Sequence, residues 1–150
     1  AAACALVVYL AGFTAFNSWL YGDSLRLYGY AWASYPSSSE LAVLVGSQYE
    51  QRGDLGLAER HFTRAVELAS REVRQSARPR FRLARLFVHT GRHAQACAQL
   101  DELPISAFRY GPPRPYFELK LQCLTALGRE EERAETLRQG EALYGAGVFR

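Results

Sequence analysis

The chain has 150 residues, of which 49% are hydrophobic, and its formal net charge at pH 7 is +3. This length and apolar content fit one domain or a short repeat array with a buried core. The small net charge and the lack of a nucleic-acid-binding motif argue against nucleic acid as a partner.

The N-terminal residues 1–16 carry no charge, and Thr14 is their one polar side chain. As a helix they would extend about 24 Å, short of the roughly 30 Å hydrocarbon core of a bilayer. The sequence contains no methionine, which indicates a processed product or an excerpt from a longer protein, and a longer helix would remove the shortfall. Aromatic residues typical of a membrane–water interface follow at Trp19, Tyr21, Tyr28, Tyr30, Trp32 and Tyr35. We predict an apolar helix over 1–21, either in a membrane or buried in protein, and a linking helix over 22–36.

The stretch 41–70 has the pattern of two amphipathic helices joined by a turn at 52–54. Small and aromatic side chains recur at three- and four-residue spacing, the period of one helical face. The positions that carry this pattern are Gly46, Tyr49, Gly53, Ala58, Phe62 and Ala65. It resembles the tetratricopeptide repeat (TPR), a helix–turn–helix unit of 34 residues. Ser70 departs from the family, which usually places a helix-stopping proline there.

The same 34-residue spacing extends upstream, where Gly12 precedes Gly46 and Pro36 precedes Ser70. The apolar N-terminus is therefore open to a second interpretation, as the first helix of another repeat. It lacks the polar face that a soluble repeat helix needs.

The TPR resemblance extends over region 37–145, with repeats at about 39–72, 77–104 and 114–144 and a frayed tail at 146–150. We expect a loop that ends before Pro79, and the stretch 105–115 is rich in proline and glycine. In the third repeat Arg133 replaces the small residue of the other repeats, as in a solvent-facing terminal unit. The resemblance implies an all-α fold: antiparallel helix pairs of a TPR-like α-solenoid, preceded by an apolar, membrane-type helix.

No catalytic or cofactor-binding motif is present, so we predict no enzyme activity and no cofactor for this segment. His89 and His93 are four residues apart, but Gly91 marks a turn between them, which argues against a shared metal. The three cysteines, Cys4, Cys97 and Cys123, lack metal-type spacing. They are expected to be buried free thiols, with a Cys97–Cys123 disulfide as the alternative.

In TPR arrays the first helix of each repeat lines a concave groove where partners commonly dock as peptides. The resemblance therefore implies a groove in this chain, and an arginine-rich stretch falls within it. Guanidinium groups suit carboxylates, so we predict an acidic protein or peptide partner. The alternative is a solubilising face near an anionic membrane surface. The predicted partner-binding residues are Val43, Ser47, Glu50, Arg74, Arg78, Phe81, Arg82, Arg85 and His89.

A second resemblance covers residues 1–38. The apolar stretch, followed by Phe16-Asn17-Ser18-Trp19, Asp23-Ser24-Leu25 and Tyr35-Pro36-Ser37-Ser38, looks like the membrane exit of polytopic O-mannosyltransferase-type glycosyltransferases. In those enzymes the last membrane helix enters TPRs, and no catalytic residue of theirs carries over. The function expected is a non-catalytic, membrane-anchored interaction scaffold within a larger protein, with repeats in a soluble compartment. The alternative is a regulatory or acceptor-positioning TPR tail of a membrane glycosyltransferase.

Overall fold

The computed structural model describes residues 2–71, 77–103 and 112–149, and side chains from residue 5 onward. These residues form eight α-helices: α1 (Ala2–Tyr21), α2 (Ser24–Ser34), α3 (Ser39–Gln51), α4 (Leu55–Ala69), α5 (Ala77–His89), α6 (His93–Asp101), α7 (Arg114–Ala126) and α8 (Glu130–Tyr144). Helix α3 packs on α4, α5 on α6 and α7 on α8, while α5 also contacts both α3 and α7. The first helices of the three pairs are therefore neighbours in space.

The three helix pairs share one turn geometry. A three-residue connection joins each pair, and its glycine has a positive φ: 80° at Gly53, 73° at Gly91 and 67° at Gly128. The next backbone N–H in each case donates to a carbonyl five residues earlier, at 2.8–3.0 Å. Side chains are disfavoured in this left-handed conformation, so glycine both ends the first helix and reverses the chain.

The core lies where small and large side chains meet between the helices. Ala58, Phe62 and Ala65 of α4 are fully buried. A Cβ atom on Gly46 would lie 2.8 Å from ring atoms of Phe62, so α3 and α4 approach as closely as they do because position 46 has no side chain. The predicted TPR-like packing of this repeat is confirmed.

Helix α5 begins at Ala77, which is the predicted start of the second repeat but lies before the predicted end of the loop, whose residues 72–76 are outside the described part of the chain. It contains Pro79 in its first turn, where the prediction had a loop ending before Pro79. Proline is tolerated there because the first N–H groups of a helix have no intrahelical partner in any case.

The predicted frayed tail is also wrong for its described residues. Phe149 packs against Phe117 at a ring separation of 5.9 Å and against Tyr144 at 6.1 Å. The N–H of Gly147 donates to Glu141 Oε1 at 2.8 Å. An aromatic side chain here can bury itself over Gly140, whose missing Cβ leaves room for the Phe149 ring.

Helix α1 contacts the rest of the protein through α2. Among the side chains of α1 described from residue 5 onward, Leu20 is buried and the apolar ones before it are exposed. Within the described residues, no helix combines the length and the apolar content required to cross a membrane.

Candidate partner-binding surface

A cleft of about 520 Å³ runs across the three first helices. Helix α3 contributes Glu50, α5 contributes Arg85, Val88 and His89, and α7 contributes Leu119 and Gln122. We call it the first-helix cleft. It combines charged, amide and apolar groups, which suits an extended peptide better than a small apolar ligand.

Two of the predicted arginines are bound by carboxylates of α3. Arg78 Nη1 lies 2.6 Å from Glu40 Oε2, and Arg85 Nη2 lies 2.8 Å from Glu50 Oε2. The Glu50 side chain is only 16% exposed, so this second pair is partly shielded from water. The surface is therefore less basic than the arginine-rich sequence suggests.

Arg82 lies between these pairs on α5 and differs from both. Within the described part of the chain it makes no hydrogen bond or salt bridge. Partial burial lowers the pKa of its guanidinium, and the like charges of Arg85 and Arg78 lower it further, while Glu50 acts in the opposite direction. Among the arginines predicted to bind a partner and described here, Arg82 is thus the one whose charge is least compensated.

The other predicted residues occupy different environments. His89 is exposed at the end of the cleft, whereas Phe81 is half-buried and packs against the core. Ser47 donates its hydroxyl to the Val43 carbonyl at 2.9 Å. Arg74 lies outside the described residues.

Val43 was wrongly predicted as a groove residue, because its side chain is completely buried in the core. The neighbouring Leu44 is partly exposed and stands nine residues before its turn glycine, as Arg82 does in the next repeat. Successive side chains of a helix point in directions about 100° apart. An error of one residue in the predicted register can therefore assign a core side chain to the cleft.

The sequence prediction missed the contribution of α7. Gln122 stands six residues before Gly128, as Arg85 stands six before Gly91, and Leu119 corresponds in the same way to Arg82. Counting back from the turn glycines would have found both. The third repeat departs from the TPR pattern, which makes this correspondence of positions difficult to recognise from sequence.

The described residues show no candidate metal site beside the cleft. They contain no group of three potential metal ligands, and His89 and His93 lie on different helices. Cys97 and Cys123 are buried free thiols, as predicted. Burial and the neighbouring Cys97 raise the pKa of Cys123 to about 12, which keeps this thiol protonated and unreactive near neutrality.

The fold and the cleft together define the class of this chain: a TPR-like array of helix pairs. The chain is structurally similar to the solved structure titled "Crystal structure of MamA", with a TM-score of 0.67 and 15% sequence identity. The match covers 85% of this chain and 72% of that chain. At this identity the likeness shows the fold alone. No family model and no curated protein matches the sequence. None of these comparisons supports the glycosyltransferase resemblance of residues 1–38.

Proposed function

We propose that this chain is a non-catalytic interaction scaffold whose first-helix cleft binds an acidic segment of a protein partner. The observation that carries the proposal is the half-buried guanidinium of Arg82, which has no described hydrogen bond or salt bridge and lies on the same helix as the cleft residues Arg85, Val88 and His89. A carboxylate bound there would form a charge-assisted hydrogen bond, the stronger kind in proteins. Val88 and Leu119 of the cleft would contact apolar side chains next to that carboxylate.

The charges around the cleft limit how acidic the partner needs to be. Among the described residues, Arg78 pairs with Glu40 and Arg85 pairs with Glu50, whereas Arg82 has no described salt bridge. A single carboxylate of the partner would pair with Arg82, and further acidic residues would compete with Glu40 and Glu50 for the outer two arginines.

Replacing Arg82 tests this proposal more cleanly than replacing its neighbours. Substitution of Arg78 or Arg85 would also release a glutamate into the cleft and confuse the result. We expect Arg82→Gln to weaken binding of a fluorescein-labelled oligoglutamate peptide on the order of tenfold, measured by anisotropy. Helicity should not change, because no described hydrogen bond is lost.

Arg138→Gln on α8 provides the matched control. That side chain is 74% exposed and forms a surface pair with Glu135 at 2.8 Å, away from the cleft. It should bind oligoglutamate as the native chain does, and oligolysine should bind neither protein. Equal affinity of the native chain and the Arg82→Gln variant for oligoglutamate would refute the proposal.

We further propose that the scaffold is attached to a membrane through α1. The support is the exposure of apolar side chains along this helix, including Val8 at 72% and Leu10 at 51%. Exposed apolar surface of this extent on a soluble protein marks an interaction site.

A further inference from the structure

The apolar surface of α1 surrounds the helix rather than forming a stripe. Leu6, Val7 and Val8 are consecutive and are 58%, 66% and 72% exposed. Because consecutive helical residues are separated by about 100°, these three side chains alone cover most of the circumference. A single protein partner or a second copy of the chain would cover one side and leave the others in water, whereas a bilayer covers all of them.

Two polar side chains of α1, Thr14 and Asn17, are hydrogen-bonded within the helix. Thr14 Oγ1 donates to the carbonyl of Leu10 at 2.8 Å, and Asn17 Nδ2 donates to the carbonyl of Phe13 at 2.9 Å. Unsatisfied polar groups are costly in hydrocarbon, and bonding to the preceding turn removes this cost for both side chains. These two side chains are thus suited to an environment without water.

The end of α1 next to α2 has a different composition. We call the segment 19–30 the elbow, where Trp19 is 53%, Tyr21 67% and Tyr30 57% exposed. The Arg26 guanidinium lies 5.1 Å from the centre of the Trp19 ring and donates to the Trp19 carbonyl at 3.1 Å. Exposed aromatic rings beside an arginine match the headgroup region of a bilayer, where such rings and cations are favoured.

The elbow is also fixed to the repeat array. Asp23 accepts a hydrogen bond from the Leu25 N–H at 2.8 Å and pairs with Arg52 of the α3–α4 turn at 2.5 Å. A helix held in lipid would therefore hold the first repeat near the membrane surface.

We propose that α1 is embedded in a lipid bilayer, with Trp19, Tyr21, Arg26 and Tyr30 of the elbow at the level of the headgroups. This inference rests on the proposed membrane attachment. It adds that the ligand is bilayer lipid, that the elbow lies at headgroup depth, and which residues set that depth. It is independent of peptide binding by the first-helix cleft.

The test uses Trp19 as a depth probe. The sequence has two tryptophans, and Trp32→Phe leaves Trp19 as the single reporter while keeping a ring beside His61. The full chain is diluted from detergent into phosphatidylcholine vesicles whose acyl chains carry bromine either near the ester or near the terminal methyl. Stronger quenching by bromine near the ester is expected, because Trp19 belongs at the headgroup boundary.

Two matched substitutions identify the surface that enters the lipid. Leu10 in α1 and Leu143 in α8 are both exposed leucines, at 51% and 60%. Leu10→Asp should reduce co-flotation with vesicles on the order of a hundredfold, and Leu143→Asp should leave it unchanged.

Adding phosphatidylglycerol should strengthen vesicle binding, and Arg26→Gln should reduce that gain on the order of fivefold.

The outcomes separate this inference from the proposed cleft. If the native chain remains in the aqueous fraction, as an oligomer or bound to another protein, the bilayer assignment is overturned. Quenching that is strongest near the terminal methyl would overturn the depth assigned to the elbow. In either case, oligoglutamate binding by the same sample would still test the first-helix cleft. Leu10→Asp should not alter this peptide binding.

Discussion

At the residue scale, single positions decide how closely the helices of this array approach. Gly46 faces the Phe62 ring, and a Cβ built on it would lie 2.8 Å from two atoms of that ring and 3.2 Å from His61 Cβ. Gly29 is the contrast: it lies inside α2, and a Cβ there would have no neighbour within 4 Å. The same residue type therefore has opposite consequences at the two sites.

We expect Gly46→Ala to lower the free energy of unfolding by about 1–2 kcal/mol, because overpacking outweighs the helix propensity that alanine gains. Gly29→Ala should raise it by about 0.5–1 kcal/mol, since only the propensity changes. Urea denaturation of both variants measures the difference. A Gly46→Ala protein as stable as the native chain would show that α3 can move away from Phe62 without cost.

Residue-scale detail is also where sequence prediction was weakest. The arginines of the cleft were identified, but the glutamates that bind two of them come from a helix 35 and 38 residues away. Such pairings depend on how α3 lies against α5, which no local pattern records. The wrong placement of Val43 has a similar origin, because an error of one residue in the helical register turns a predicted surface side chain into a core one.

At the element scale, the linking helix α2 is attached to the first repeat through an aromatic cluster. The His61 ring of α4 stacks on Tyr49 of α3 at 5.4 Å, with the planes 15° apart, and meets the edge of Trp32 of α2 at 6.3 Å. Burial in this cluster lowers the pKa of His61. The three helices therefore pack around an imidazole that is preferentially neutral.

This packing predicts a loss of stability in mild acid. The folded-state pKa of His61 lies below its unfolded value, so the unfolded chain takes up the proton first as the pH falls. The contribution of His61 is fully present above about pH 6.5 and declines below it, with a slope of at most about 1.4 kcal/mol per pH unit. Urea unfolding across this range should show a smaller decline for His61→Phe than for the native chain. Identical pH profiles would contradict the assignment.

The arrangement of the elements themselves was largely predictable. Gly53, Gly91 and Gly128 mark the turns in sequence, and each adopts the left-handed conformation that such a turn requires. The predicted boundary between the loop and α5 was wrong because local sequence permits two outcomes at Pro79. A proline can either precede a helix or occupy its first turn. The prediction of a frayed tail was wrong because Phe149 packs on Phe117. That contact depends on a surface formed by two helices, which the local sequence of the tail does not show.

At the scale of the whole molecule, one proposed binding feature precedes the first repeat in the chain and the other begins within it. Helix α1 and the elbow precede it, and the first-helix cleft runs from α3 across α5 to α7. The Asp23–Arg52 pair connects the elbow to the α3–α4 turn. A scaffold built in this way would hold its partner close to the membrane to which it is attached.

The most direct test of this account measures both bindings in one sample. The native chain is reconstituted into uncharged phosphatidylcholine vesicles, and labelled oligoglutamate is added before flotation. We predict that the peptide floats with the native chain, floats in a clearly smaller amount with Arg82→Gln although that protein still floats, and remains in solution together with Leu10→Asp. Flotation of the native chain without peptide, or equal peptide capture by Arg82→Gln, would contradict it.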